Sequence, residues 1–315
     1  MSFWENKKVL VTGGAGFVGT HVVSMLKGEC AELHYPTSFE CNLTVENEVV
    51  RLFNELKPDV VIHLAGKVGG IGANKAEPGT YFYDNIMMGT LVMEHARRNG
   101  VQKVVALAAG CGYPLDLAVP YTEEDFWKGL PQKESMGYSM AKKMLIIQSW
   151  TYREQHDFDS TILLPANLYG PNDNFDLEKS HVVPALIRKF VEAKEEGKNV
   201  VEIWGTGTAT REFLYVEDTA RAILDIAESV KESGPFNLGT GVETSIRELI
   251  YTIKNAVGFV GEVAWDTSKP DGQPRRFYDM SKFANQLGYI PSTSLEEGIE
   301  KTVRWYLETT DKKRL

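Results

Sequence analysis

Tyr138 and Lys142 stand four residues apart in the run Tyr138-Ser139-Met140-Ala141-Lys142, so on a helix they share one face. An ammonium beside a phenol favours the ionised form and lowers a tyrosine pKa that is ordinarily about 10. Such a tyrosine can exchange a proton with a hydroxyl or carbonyl while a nicotinamide exchanges hydride. A much earlier segment supplies the nicotinamide's site. Lys8-Val9-Leu10-Val11 is an apolar run ending in Thr12-Gly13-Gly14-Ala15-Gly16-Phe17-Val18-Gly19. A strand, a glycine turn and a helix start are the fingerprint of a dinucleotide site. Glycines at 13, 16 and 19 permit the tight bend, the approach to a pyrophosphate and the close packing of helix on sheet. The pyrophosphate would rest on the unpaired N–H groups at the helix start. Together the two motifs point to oxidoreductase chemistry on an alcohol or ketone.

The elements that must position these residues follow from the pattern around them. Short apolar runs at 8–12, 31–35, 59–64, 103–108 and 160–164 alternate with helical patterns near 17–27, 45–56, 82–99 and 136–156. That alternation predicts an α/β protein with a Rossmann-type, doubly wound parallel sheet, residues 1–165 forming the dinucleotide-binding domain. Asp59–Gly66 is a buried strand emptying into small residues, which permit close approach of a cofactor. After Pro165 the chain is richer in Gly, Pro and Asn, with helices expected near 181–196, 217–230 and 245–256 and strands at 201–204 and 235–238. Residues 166–315 are expected to form mainly a smaller, interleaved substrate lobe, with about 205–232 returning to the larger domain.

Composition narrows the partners. The 315 residues carry a net charge of −9, which argues against nucleic acid as the main partner. Cys30, Cys41 and Cys111 are too few and too scattered for a disulfide framework or a zinc site, so no metal is expected. No apolar run is long enough to span a bilayer, and the N-terminus lacks a long apolar leader, so a cytoplasmic protein with no membrane partner is expected.

Thr12–Gly19, Tyr138–Lys142 and Asn167-Leu168-Tyr169-Gly170-Pro171 resemble an extended short-chain dehydrogenase/reductase acting on nucleotide sugars. Further blocks are similar to the GDP-L-fucose synthase branch. They are His63–Ile71, Pro165–Phe175, Ser180–Leu186, Trp204–Phe213 and Lys269-Pro270-Asp271-Gly272. The resemblance implies conversion of GDP-4-keto-6-deoxy-D-mannose to GDP-L-fucose, with inversion at C3 and C5 and reduction at C4 by NADPH. It implies Tyr138, Lys142, Cys111 and His181 as catalytic groups, Cys111 and His181 exchanging protons at the carbons flanking the ketone. The cofactor would meet Gly13, Gly16, Phe17, Val18, Gly19, Asn42, Leu43, Leu64, Ala65, Gly66, Lys142, Pro165, Asn167, Leu168 and His181. The nucleotide sugar would meet Asn167, Lys189, Trp204, Arg211, Lys269 and Arg275 or its neighbour Arg276. Guanidinium forks match phosphate oxygens, which suits those arginines in an acidic protein. A homodimer built on helices 82–99 and 136–156 is also implied.

Two departures from that pattern stand out. Ala109 occupies the place, two residues before Cys111, where the resembling reductases carry a serine or threonine that binds the 4-carbonyl. No arginine or lysine lies in the glycine turn or in His34–Glu40, where a 2′-phosphate clamp is expected, and this tilts the cofactor from NADP toward NAD. The departures leave two alternatives: a redox-neutral NAD-dependent sugar-nucleotide epimerase or dehydratase, and a dinucleotide-binding protein without catalysis.

Overall fold

The computed structural model describes residues 2–176, 180–269 and 271–314. Pro270, within the Lys269–Gly272 block, lies outside the described residues. The first half alternates β1 (Lys8–Thr12), α1 (Phe17–Leu26), β2 (Glu32–His34), α2 (Glu46–Leu56), β3 (Val60–His63), α3 (Ile71–Ala76), α4 (Pro78–Arg98), β4 (Lys103–Leu107), α5 (Met136–His156) and β5 (Ser160–Pro165). The second half adds β6 (Asn167–Tyr169), α6 (Val182–Glu195), β7 (Val200–Trp204), β8 (Thr210–Arg211), β9 (Phe213–Tyr215) and α7 (Val216–Ser229). It closes with β10 (Phe236–Leu238), β11 (Thr244–Ser245), α8 (Ile246–Val257), β12 (Glu262–Asp266), α9 (Ser281–Leu287) and α10 (Leu295–Arg314).

Six strands form the main sheet in the order β10-β5-β4-β3-β1-β2, each pairing parallel. Helices cover both faces, so β3 and β4 are buried along their whole length and carry continuous apolar runs instead of alternation. From β1 the chain passes to β2 on one side and returns to β3 on the other. That reversal is a topological switch point, where a crevice opens beyond the carboxyl ends of the strands. β1 and β3 deliver Thr12 and His63 to its floor.

Boundaries departed from the sequence pattern for local reasons. α4 begins at Pro78, ahead of the apolar periodicity, because proline at the first helical position has its φ preset and needs no N–H partner. α5 ends at Asp157, which takes a left-handed conformation (φ 52°) and closes the helix. The long C-terminal helix α10 was not expected from the pattern.

Two apolar clusters organise the interior. The larger surrounds the parallel sheet and includes Leu214, Ile223, Phe236, Met280 and Phe283. The smaller gathers Ile187 and Phe190 of α6, Ile203 of β7, Leu249 and Ile253 of α8, and Ile299 and Val303 of α10. Phe236–Leu238 and the start of α9 therefore pack on the larger sheet, although the sequence assigned them to the smaller lobe. Three residues of β10 are too few to show a period, and pairing with β5 decides their place. Lys103 ties the layers together: its buried ammonium donates to Asp159 at 2.8 Å, to Thr161 at 2.9 Å and to the Val230 carbonyl. Among the described residues no helix is long and apolar enough to cross a membrane.

Candidate active site

The glycine turn is shaped as a cradle. Gly13 has φ +73°, and a Cβ there would lie 2.7 Å from the Ala65 nitrogen. A Cβ on Gly19 would lie 2.1 Å from the Gly13 carbonyl oxygen, so α1 can close onto the turn only with glycine at that position. Gly16 caps α1 with no side-chain acceptor, and no acidic residue occupies the first helical turn. The N–H groups of Phe17, Val18 and Gly19 thus face the crevice as free donors, the arrangement that holds a pyrophosphate. The turn fits a dinucleotide on sterics and on donors alike.

A cavity of about 600 Å³ lies at the outer end of this cradle, lined by Ala15, Tyr35, Thr37, Glu40, Cys41 and Arg51 among others. Arg51 comes from α2 and reaches the Glu40 carbonyl at 3.4 Å. The sequence reading looked for a cation only in the turn and after β2, and so did not find it. Glu40 accepts from the Thr37 N–H and hydroxyl at 2.7 and 2.8 Å. Asn42 is held in a local turn, its side chain accepting from Thr44 N at 3.1 Å, while the Leu43 side chain is buried in the core.

The floor of the crevice is fixed by buried polar contacts. Thr12 Oγ1 and His63 Nδ1 lie 2.7 Å apart, and burial pulls the His63 pKa down to about 3, with Lys142 adding in the same direction. His63 is therefore neutral and structural. Asn85 of α4 pins the turn after β3: it donates to the Lys67 carbonyl at 3.0 Å and accepts from Lys67 N at 3.2 Å. Gly66 leaves room for Lys142, whose ammonium would be only 3.2 Å from a Cβ placed there.

Tyr138 and Lys142 lie on the first two turns of α5. Lys142 is buried and donates to the Leu107 carbonyl at 3.2 Å, at the carboxyl end of β4. Burial lowers its pKa to about 8, with Cys111 acting in the opposite sense. The Tyr138 phenol departs from expectation. Burial pushes its pKa above the ordinary value, and Cys111 and Tyr81 push the same way. The lowering expected from a neighbouring Lys142 does not outweigh this burial.

Cys111 sits in a single 3₁₀ turn, Gly110–Gly112, just beyond β4. Its Sγ lies 3.1 Å from the hydroxyl of Ser139. The glycines on either side are obligatory: a Cβ on Gly110 would lie 1.8 Å from the Tyr278 hydroxyl, and one on Gly112 would lie 2.3 Å from the Phe126 ring. Ala109 is buried and offers no hydroxyl. Tyr278 in turn brings Arg276, whose charge opposes the rise that burial gives the Tyr278 phenol. Arg211 lies beside Arg276 and donates to the carbonyls of Thr210 and Gln273, both at 2.6 Å. Neither guanidinium has a carboxylate partner among the described residues.

Glu212 holds these segments together. Its buried carboxylate accepts from Gly241 N at 2.7 Å, Tyr278 N at 2.9 Å and Thr240 N. Its carbonyl accepts from the Asn167 side chain at 2.8 Å, which leaves Asn167 exposed beside half-buried Pro165 and Leu168. His181 occupies the N-cap position of α6 without a side-chain hydrogen bond to the helix, and burial lowers its pKa although the residue keeps an exposed edge. The neighbouring Ser180 carbonyl would be 3.9 Å from a Cβ on Gly70, so this loop meets the turn after β3.

The remaining expected contacts divide. Trp204 is 68 % exposed at the end of β7, with the Lys269 ammonium 5.7 Å from its ring centre, an open aromatic surface on the smaller lobe. Lys189 donates to the Glu202 carbonyl at 2.5 Å. Arg275 is turned outward and paired bidentately with Glu243, at 2.7 and 2.6 Å, whereas Arg276 points inward. Sequence reading left these two arginines unresolved and missed Ser139, Asn85 and Glu212. Only Ser139 carried a local signal, its place beside Tyr138.

Residues 9–239 match the NAD dependent epimerase/dehydratase family. GDP-L-fucose synthase 1 of Arabidopsis thaliana is 40% identical over 305 residues, covering 96% of this chain and 94% of that protein. A solved GDP-L-fucose synthetase from Naegleria fowleri superposes with a TM-score of 0.92 at 30% identity, covering 99% of this chain and 96% of that one. A second structure of that synthetase, bound to NADP, gives a TM-score of 0.89 at 30% identity and covers 99% and 97% of the two chains. With its glycine cradle, its Tyr138–Lys142 helix and this likeness along nearly its whole length, the chain belongs to the NAD dependent epimerase/dehydratase family, as an NAD(P)-dependent nucleotide-sugar enzyme similar to the GDP-L-fucose synthases.

Proposed function

We propose that this protein converts GDP-4-keto-6-deoxy-D-mannose to GDP-L-fucose with NADPH. The carrying observation is the meeting of Tyr138, Lys142 and Cys111 at the carboxyl end of β4, beside the glycine cradle. A 4-ketone acidifies the protons at C3 and C5, so Cys111 removes one and His181 serves the opposite face. Tyr138 gives its proton to the C4 oxygen; its raised pKa keeps that proton in place until charge develops on the carbonyl. Lys142 orients the ribose of the cofactor and steadies the phenolate that remains. A nicotinamide held there would supply the hydride to C4. Arg211 and Arg276, partly buried side by side with no carboxylate partner among the described residues, meet the diphosphate, and Trp204 and Lys269 cover the outer part of the nucleotide sugar. Arg51 supplies a cation at the 2′-phosphate end of the cofactor cavity, which supports NADPH over NADH despite Ala15.

Residues 1–165 with later segments hold the cofactor, and 166–315 mainly hold the sugar. α4 and α5 present Tyr83 and Trp150 to solvent, consistent with a cytoplasmic homodimer through these helices.

Incubation with the 4-keto sugar and NADPH or NADH should yield GDP-L-fucose with one reduced cofactor consumed per product, faster with NADPH. Turnover without net cofactor consumption would instead establish a redox-neutral epimerase, the reading that buried Ala109 favours by leaving the carbonyl one donor short. No turnover on any nucleotide sugar would refute both.

A further inference from the structure

Cys111 has a partner that the proton-transfer scheme does not use. The Ser139 hydroxyl is fully buried and lies 3.1 Å from Cys111 Sγ. It is also 3.2 Å from the Cys111 carbonyl and 3.3 Å from the Ser135 hydroxyl. A hydroxyl carries one proton and two lone pairs. While the thiol is protonated, S–H donates to Ser139, and Ser139 donates onward to the Cys111 carbonyl or to Ser135. Once the sulfur is ionised, the same hydroxyl can rotate about its C–O bond and donate to the thiolate. The turn itself cannot yield, because Gly110 and Gly112 are wedged against Tyr278 and Phe126.

We propose that Ser139 is a positioning residue for Cys111, accepting from its thiol and donating to its thiolate. The proton transfer it serves rests on the reading of Cys111 given above. A C–H bond beside the ketone breaks and an S–H bond forms. The electron pair passes into an enolate whose oxygen is the former carbonyl. A proton delivered to the other face then restores the ketone. Ser139 thereby makes both states of the sulfur accessible without moving the backbone.

The test uses the full-length protein with Cys30→Ala and Cys41→Ala, so that Cys111 is the single thiol. Iodoacetamide alkylation is followed against pH with and without Ser139→Ala. Loss of a hydrogen bond to an ionised group predicts alkylation about tenfold slower at pH 7, with the profile displaced to higher pH. Superimposed profiles overturn the proposal. Should Ser139→Ala fail to fold, the S–H stretch of the unsubstituted thiol decides: a shift to lower frequency supports the bond, and the free-thiol frequency overturns it. With the nucleotide sugar present, Ser139→Ala should lower solvent-deuterium incorporation at constant KM. A displaced alkylation profile in a protein that exchanges no sugar protons supports the Ser139–Cys111 pair and refutes the sugar chemistry, so the two readings fail separately.

Discussion

Alanine at Gly19 and alanine at Gly16 separate the two duties of the glycine turn. At Gly19 the new methyl would lie 2.1 Å from the Gly13 carbonyl oxygen and 2.6 Å from Gly14 Cα, both rigid backbone atoms. α1 must back away from the turn, an overpacking cost of about 1–3 kcal/mol. At Gly16 the backbone is extended (φ −84°, ψ −177°), a conformation open to any residue, and the nearest atom is the Gly13 oxygen at 3.1 Å. That oxygen must give by only a few tenths of an ångström at this exposed position, so the loss of stability should stay below that at Gly19, under about 1 kcal/mol. The methyl added at Gly16 instead occupies the approach to the free N–H groups of α1. Losing one hydrogen bond to a charged phosphate costs about 1.5–3 kcal/mol, or roughly a ten- to hundredfold weaker Kd. Urea unfolding and calorimetric titration with NADP on both variants measure the two quantities. Gly16→Ala should be stable and bind poorly; Gly19→Ala should lose stability as well as binding. Unchanged NADP affinity in Gly16→Ala would refute the assignment of this turn to the pyrophosphate.

Tyr138→Phe should retain cofactor binding and lose about 10²–10⁴-fold in the reduction step, read in single-turnover kinetics; near-normal turnover would show that another group protonates C4. In the pH profile of kcat/KM, the lowered Lys142 pKa places loss of its charge at about 8, so activity should fall as pH rises through that value. Burial favours neutral His181, so any limb due to this residue should lie on the acid side, below the ordinary histidine pKa of about 6.5, and vanish in His181→Asn. Glu212→Gln turns an amide N–H₂ toward backbone N–H donors of Gly241 or Tyr278 and should destabilise by about 1–3 kcal/mol. KM for the nucleotide sugar should rise with it, because the Tyr278 segment carries Arg276; a purely thermal effect would argue against that link.

The parallel sheet and the glycine turn were legible in the sequence because both rest on local constraints. Buried strands such as Val60–His63 need unbroken apolar runs, and a strand-to-helix turn that admits a pyrophosphate needs glycine at Gly13 and Gly19. The Tyr138–Lys142 spacing likewise placed both side chains on one helical face before any fold was known. Which charges those side chains meet was not legible. Lys142 is engaged by Leu107, Cys111 by Ser139, and Arg276 by Tyr278, while adjacent Arg275 turns outward to Glu243. Arg51 reaches the cavity beside the glycine turn from a different helix, and Glu212 joins three segments far apart in the chain. Periodicity and backbone sterics act over a few residues and leave their mark in local sequence. Desolvation and pairing depend on which distant surfaces pack together, so the electrostatics of the site was decided only when the chain closed on itself.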